Sequence, residues 1–205
     1  MDHSDHLATP GSDAIEAVID EQWSAIGAAG TWMTGEERID LVRISRGDIV
    51  SAGLDEATAE AGGFVAHRAA SITGDIVDGL EARGLSRERY VEVVGVVSRT
   101  VAIDTYDRGL ARSPRALPAP RAGAPSGLRA DGARRRAGWV PTVGAIGPPT
   151  ALDAVPSEAT AQEVLHSVLY LAYGEMADLH VERGLTRPQM ELVAGRVSYL
   201  NHCRF

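Results

Sequence analysis

The sequence predicts an all-α fold that is built from two related helical halves. The first observation is composition: 44% of the residues are hydrophobic but only 5% are aromatic, which favours helices packed through small side chains over a β-sandwich core. The second is a series of helix N-caps, each followed by apolar residues at helical spacing. The third is that the chain aligns with itself at an offset of 100 residues. A duplicated helical unit predicts a pseudo-twofold arrangement of helices.

The composition also excludes several classes of protein. At 205 residues the chain can form one large or two small domains, and its net charge of −8 argues against a nucleic-acid-binding protein. The sequence contains no run of 18 apolar residues and no signal peptide, so we expect no membrane association and a cytoplasmic location. A single cysteine excludes an intrachain disulfide framework. No cofactor or metal site is predicted, and His3 and His6 are assigned to a solvated tail.

The first helical repeat is predicted to span residues 13–110, after a disordered tail at residues 1–12. Ser12 can cap the first helix. Thr34 and Glu37 have the spacing of a capping box, in which each side chain bonds to the backbone of the other, and they predict the start of a second helix.

The remainder of this repeat carries a long helical pattern and a second, more apolar one. Residues 55–83 are predicted to be helical, with Gly62, Gly63 and Gly74 as candidate break points. The helix that follows Ser86 is apolar on more than one face, which predicts burial within a helical bundle or a subunit interface.

A change of composition separates the two halves. Residues 111–150 form a linker rich in Pro, Gly and Arg, either an ordered excursion over the surface or a flexible segment. The second helical repeat is predicted to span residues 151–205, with a helical pattern over residues 157–183. Three residues of this pattern fall near one face and could line a pocket: His166, Tyr170 and Tyr173.

The internal repeat is clearest where residues 81–98 (EARGLSRERYVEVVGVVS) align with residues 181–198 (VERGLTRPQMELVAGRVS). The copies share their glycines, the predicted cap and a Val-Ser pair. This agreement of spacing and capping predicts two helices of common origin.

The two copies differ in their chemically reactive residues. Val91 occupies the position of Glu191, and Ile103 occupies that of Cys203. The first copy therefore lacks both groups and is predicted to be structural. Glu191 has two interpretations that stay open: a functional carboxylate, or a first-turn glutamate stabilised by the helix dipole.

The last stretch of the sequence, residues 184–205, begins with a helix start signal. Thr186 can cap, Gln189 is its capping-box partner, and Asn201 can end the helix because asparagine tolerates the left-handed conformation. Cys203 therefore falls just beyond the helix. The predicted apolar stripe consists of Met190, Val193, Val197 and Leu200.

This stretch resembles the active-site segment of the alkylhydroperoxidase D / carboxymuconolactone decarboxylase family. The family's motif is a glutamate, eleven residues, Cys-x-x-Cys and then x-x-x-His, and Glu191 and Cys203 have the first of these spacings. The run RVSYLNHC, residues 196–203, is similar to the family's approach to its first cysteine. Residues 30–46 (GTWMTGEERIDLVRISR) and 138–141 (GWVP) are similar to the alkylhydroperoxidase-related selenoprotein group.

The resemblance implies a two-repeat alkylhydroperoxidase D-like helical fold, assembled as a trimer or hexamer. It implies a peroxidase-like antioxidant oxidoreductase that acts on a small-molecule peroxide and is recycled by an unidentified thiol reductant. Glu191 would be the proton relay and Cys203 the resolving thiol, while the adjacent His202 is expected to stabilise a thiolate. The peroxidatic cysteine or selenocysteine would follow Phe205, so we expect the stop to be a selenocysteine codon or a genuine truncation.

Two alternatives stay open: a non-catalytic helical interaction protein, and a lyase of the carboxymuconolactone decarboxylase type. One cysteine cannot form an intramolecular disulfide, so the 205-residue chain is expected to be inactive as a two-thiol peroxidase. On one straight helix Glu191 and Cys203 would stand about 18 Å apart along the axis. They can cooperate only if the chain breaks near Asn201 and folds back.

Overall fold

The structure is a computed structural model that describes residues 12–48, 53–144 and 150–203. The positions of His3 and His6 lie outside these residues. The described chain is mostly helical, which confirms the all-α prediction. Its α-helices are α1 (Ser12–Ile26), α2 (Gly35–Ser45), α3 (Glu56–His67), α4 (Gly74–Ala82), α5 (Arg87–Gly109), α6 (Pro156–Leu169) and α7 (Arg187–Leu200). Two 3₁₀ turns, Ala69–Ser71 and Tyr173–Glu175, and an antiparallel pair, β1 (Arg134–Arg135) and β2 (Pro141–Thr142), complete it.

Helix α5 is the centre of the fold, and it packs against α1, α2, α3 and α6. Three of its valines, Val93, Val96 and Val97, are completely buried. Its apolar residues face several directions because neighbours surround it, as its sequence predicts. The capping box of α2 is also formed, since the Glu37 N–H donates to the Thr34 hydroxyl and the Thr34 N–H donates to the Glu37 carboxylate.

The predicted break at Gly62 and Gly63 does not occur. Helix α3 runs through both glycines to His67 and ends there. A Cβ at Gly62 would stand 2.8 Å from the Leu41 side chain, so this glycine allows close packing of α3 on α2. The other candidate break point, Gly74, does mark a break: the helix is interrupted between His67 and Gly74, where Thr73 caps α4 by accepting from the Ile76 N–H.

The helix predicted over residues 157–183 is wrong in its second half. Helix α6 ends at Leu169, and Met176 and Leu179, which lie in the second half of the predicted helix, are exposed. The physical reason is a local cluster: Leu171 is buried with Val181 and Met190. The chain leaves the helix to place Leu171 against the start of α7.

The first part of the predicted linker, residues 112–121, is an ordered excursion along α1. The Trp23 indole donates to the Ala116 carbonyl at 2.8 Å, and the Arg121 N–H donates to the Gly27 carbonyl at 2.7 Å. Arg115 is paired with Asp107 and with carboxylates of α1. The Ala116 carbonyl and the Arg121 N–H thus find their hydrogen-bond partners in α1 and just beyond its end.

Helices α5 and α7 begin at equivalent positions of the two copies, at Arg87 and Arg187. A glycine with positive φ precedes each helix: Gly84 at +100° and Gly184 at +71°. Upstream the copies diverge, because residues 74–82 form α4 whereas residues 174–182 form turns. Among the described helices none is long and apolar enough to cross a membrane.

Candidate functional site

Glu191, the predicted proton relay, lies in the second turn of α7 and is held through one oxygen. The Tyr170 hydroxyl donates to Glu191 Oε1 at 2.7 Å, and Arg187 Nε donates to the same atom at 2.7 Å. No residue that the structure describes donates to Oε2 of Glu191. The Glu191 side chain is 50% exposed. Oε2 is therefore the oxygen that can exchange a proton with solvent or with a reacting group.

The two donors fix the ionisation state of this group. The Tyr170 hydrogen bond, and after it the Arg187 hydrogen bond, hold the pKa of the Glu191 carboxyl below its usual range. Burial, and then the bond to Glu191, raises the pKa of the Tyr170 phenol. At neutral pH the pair is a carboxylate and a neutral hydroxyl donor.

Both donors are positioned by the local fold. Tyr170 is the residue at which α6 ends. Arg187 opens α7 and is buried, and its guanidinium donates to the carbonyls of Met176 at 2.8 Å and Asp178 at 2.9 Å. The turns that replace the second half of the expected helix thus supply the acceptors that orient Arg187.

Cys203 lies just beyond α7 and its side chain is exposed. Its N–H donates to the Ser198 carbonyl and the His202 N–H donates to the Tyr199 carbonyl, which is the hydrogen-bond pattern of a Schellman helix end. Asn201 ends the helix as expected, but it is His202, with φ +54°, that adopts the left-handed conformation. A non-glycine residue in this conformation carries a cost of about 1 kcal/mol.

The structure does not join the three predicted site residues to one another. Helix α7 is continuous, so Glu191 stands nine residues, about 14 Å along the axis, before the last helical residue Leu200. Neither His202 nor Cys203 bonds to Glu191 within the described part of the chain. His202 adopts the left-handed conformation one residue after Asn201, where the sequence predicts the helix to end.

An open, mostly apolar groove of about 470 Å³ runs beside this site. Tyr170 lies between the groove and Glu191. His166 packs against Tyr170 with ring centroids 5.5 Å apart and against Tyr173 at 5.0 Å, so the three residues do cluster. They do so around the end of α6 and not along one helix face. The groove lining also includes Ile15, Val168, Leu169, Met190, Val193, Ala194 and Val197.

A second polar cluster, of four buried charged residues, lies between α2, α5 and α6. Arg38 NH1 donates to Glu92 Oε1 at 2.6 Å and to Glu158 Oε1 at 2.8 Å, and Arg99 donates to Glu158 Oε2. The backbone N–H of Trp32 donates to Glu92 at 2.5 Å. Every one of these charged side chains is at most 4% exposed. They are inaccessible to a substrate, so we assign them a structural role.

Burial shifts the pKa values of two charged groups in this cluster. It raises the pKa of the Glu92 carboxyl, although Arg38 and the Trp32 N–H favour the ionised form. It lowers the pKa of the Arg99 guanidinium, against the attraction of Glu158. Such a cluster is stable only while every charge keeps its partner.

Arg187 and the buried cluster were not predicted from the sequence. The i, i+4 spacing of Arg187 and Glu191 is a signal for their pairing. For the cluster, the signal is the presence of Glu92 and Arg99 within the mostly apolar stretch 90–103 of α5. The pairing of Tyr170 with Glu191 has no local signal, because it depends on where α6 ends.

No protein-family model, no curated protein and no solved structure matches this chain. Among the described residues, no three His, Cys, Asp or Glu side chains are grouped so that they could hold a metal ion. The interpretation of the site therefore depends on its own geometry and on the sequence resemblance.

Proposed function

We propose that the protein is a peroxidase-like antioxidant oxidoreductase of the alkylhydroperoxidase D type. Glu191 is its proton relay, Cys203 is its resolving thiol, and His202 stabilises the thiolate beside it. The observation that carries the proposal is the Tyr170–Glu191–Arg187 arrangement, which keeps a carboxylate ionised with one oxygen free. This carboxylate stands on the same helix that ends at the exposed thiol.

The chemistry needs a second redox residue at the position after Phe205, which is a cysteine or a selenocysteine in the proposal. Its anion attacks the outer peroxide oxygen, the O–O bond breaks, and the alcohol leaves as it takes a proton. The resulting sulfenic or selenenic acid condenses with the Cys203 thiol and releases water. An external dithiol then reduces the bond. Oε2 of Glu191 accepts the proton that the attacking thiol or selenol releases.

The structure supports this assignment in two further ways. The left-handed conformation of His202 ends α7 next to Asn201, where cooperation between Glu191 and Cys203 requires the helix to break. The apolar groove beside Tyr170 offers a surface for the organic part of a hydroperoxide. The expected two-repeat fold, oligomeric assembly and cytoplasmic location are also part of the proposal.

The test is peroxide consumption by the protein expressed in its own organism, with dithiothreitol as the reductant and cumene hydroperoxide as the substrate. We expect Cys203→Ser to abolish the internal bond that peroxide otherwise forms to Cys203, and Glu191→Gln to lower kcat by about 10²-fold or more. Glu182→Gln changes an exposed carboxylate near α7 and is the matched control. An unchanged kcat in Glu191→Gln would refute the relay. The 205-residue chain alone is expected to show no Cys203-dependent turnover.

A non-catalytic helical interaction protein is the second candidate, because α7 exposes large apolar side chains. On that assignment Glu191→Gln leaves the cellular phenotype unchanged. For the decarboxylase-type lyase a cation must bind the substrate carboxylate. Arg183, the arginine that lines the groove, is paired with Glu175, so the structure offers no support there.

A further inference from the structure

His166 lies in the last turn of α6, and its ring bonds to the chain just beyond the end of that helix. Its Nδ1 donates to the carbonyl of Leu171, two residues after the last helical residue Leu169. A carbonyl at this place has no partner within the helix. The Leu171 side chain is completely buried. The hydrogen bond therefore ties the imidazole to a residue whose own position is fixed by packing.

The same imidazole packs against two tyrosines. Its centroid lies 5.5 Å from that of the Tyr170 ring, with the two planes at 85°, and 5.0 Å from that of the Tyr173 ring. An edge-to-face contact at this separation is a favourable arrangement of two aromatic rings. Tyr170 is thus held against a ring that the Leu171 carbonyl orients.

Tyr170 connects this contact to Glu191. It is the first residue outside α6, with φ −144° and ψ −86°, and its hydroxyl donates to Glu191 Oε1 at 2.7 Å. A tyrosine side chain has several staggered rotamers, and the hydroxyl reaches Glu191 only while the ring stays in one of them. The contact with His166 opposes a change of rotamer.

The two copies of the internal repeat differ at this whole set of residues. Gly74 and Gly174 keep the offset of 100 residues in this part of the chain. The first copy carries a small or aliphatic residue in place of each member of the set. The equivalents of His166, Tyr170, Tyr173 and Glu191 are Ala66, Ala70, Thr73 and Val91. The copy without the carboxylate thus also lacks the rings that lead to it.

We propose that His166 is a positioning residue for Glu191: its bond to Leu171 and its contact with Tyr170 keep the tyrosine hydroxyl on Glu191 Oε1. This deepens the proposed function, because it rests on Glu191 being the proton relay. His166 itself makes no hydrogen bond to Glu191 in the described part of the chain, so it acts through Tyr170.

The proposal fixes which nitrogen of His166 carries the proton. The Leu171 carbonyl can only accept, so the neutral imidazole carries its hydrogen on Nδ1 and leaves Nε2 as an acceptor. Nitrogen-15 NMR of the 205-residue chain, at alkaline pH where the ring is neutral, distinguishes the two tautomers without any substitution in the protein. We expect the Nδ1-protonated form. The Nε2-protonated form would overturn the proposal.

A carbon-13 NMR titration of the glutamate carboxyls tests the effect on Glu191. His166→Phe keeps a ring of similar size beside Tyr170 but removes the donor to Leu171. We expect the pKa of Glu191 to rise in this variant toward its usual value, as the Tyr170 hydrogen bond weakens. His67→Phe is the matched control, since it removes a bond from another histidine at a helix end, His67 Nε2 to the Ile44 carbonyl at 3.0 Å. An unmoved Glu191 titration in His166→Phe, or an equal shift in His67→Phe, would overturn the positioning role.

Turnover separates a failure of this proposal from a failure of the proposed function. In the protein expressed in its own organism, His166→Phe is expected to lower kcat for cumene hydroperoxide about tenfold and to change KM less than about twofold. If Glu191→Gln keeps the full kcat, the relay is refuted, and the titration still decides the role of His166. If Glu191→Gln loses kcat while His166→Phe keeps both kcat and the Glu191 pKa, the relay stands and the positioning role is refuted.

Discussion

Arg38 and Glu158 are 120 residues apart in the sequence and are joined by a buried hydrogen bond of 2.8 Å. The same Arg38 nitrogen binds Glu92, so one guanidinium links α2, α5 and α6. This contact ties the helix that follows the linker to the core of the first half. The packing of α6 therefore depends on the buried charges of Arg38 and Arg99 in the first half.

Removing one charge from this cluster is expected to be costly. Glu158→Gln leaves Arg38 and Arg99 short of a buried counter-charge, and we predict a loss of about 3–5 kcal/mol in the free energy of unfolding. Urea denaturation measures it. Glu60→Gln breaks the exposed pair with Arg83, whose side chains are 37% and 47% exposed, and is expected to cost less than about 1 kcal/mol. Equal losses in the two variants would contradict the structural role of the cluster.

The two equivalent glycines of α5 and α7 are predicted to respond oppositely to alanine. Gly95→Ala pushes a methyl group against Glu158 and is expected to destabilise the protein by about 3 kcal/mol. Gly195→Ala meets nothing and is expected to stabilise α7 by up to about 1 kcal/mol. Thermal unfolding compares them. A stabilising Gly95→Ala would show that α6 does not cross α5 there.

Acid sensitivity is predicted to depend on Glu16. Arg112, then Arg115 and Tyr106, lower the pKa of Glu16 from 4.5 to about 2. Because the folded-state pKa is depressed, the contribution to stability is fully present above about pH 5 and is lost as the pH falls toward 2. Glu16→Gln should therefore flatten the decline of the urea midpoint between about pH 5 and pH 3.

The control for this experiment is Asp13→Asn, which changes an exposed carboxylate of the same helix that accepts a hydrogen bond from the neighbouring Ser12 hydroxyl. It is expected to keep the wild-type pH dependence. If Asp13→Asn and Glu16→Gln flatten the curve equally, the contacts of Glu16 with Arg112 and Arg115 are not its cause.

Tyr170 is predicted to control the ionisation of Glu191. Tyr170→Phe removes the hydroxyl that donates to Oε1, and we expect the pKa of Glu191 to rise toward its usual value. Carbon-13 NMR titration of the glutamate carboxyls measures the change. Tyr173→Phe removes a hydroxyl that is not bonded to Glu191 and should leave this pKa unchanged. An unmoved Glu191 titration in Tyr170→Phe would mean that Arg187 alone holds the carboxylate.

Local signals predicted the starts of helices well. The capping residues Thr34 and Thr186 and the many-sided apolar pattern of α5 each depend on residues within a few positions, and each prediction is confirmed. The end of α6 could not be predicted in this way. It is decided by the packing of Leu171 against Val181 and Met190, a contact between segments that no local pattern marks.

The same distinction explains what could be predicted of the site. Glu191 and Cys203 were predicted from the resemblance to the family's motif, and Arg187 was within reach of an i, i+4 argument. Tyr170 reaches Glu191 only because α6 ends one residue earlier. The buried charges of Glu92 and Arg99 conflict with the apolar pattern of α5 until α2 and α6 supply their partners.

We propose that Cys203 is one member of a redox pair, and intact-mass analysis of the protein isolated from its own organism tests this most directly. We expect a mass above 21.7 kDa, and a loss of about 2 Da on treatment with one equivalent of peroxide as the bond to Cys203 forms. A selenium isotope pattern would identify the second member as selenocysteine. A mass matching residues 1–205, with peroxide adding only oxygen at Cys203, would refute the redox pair.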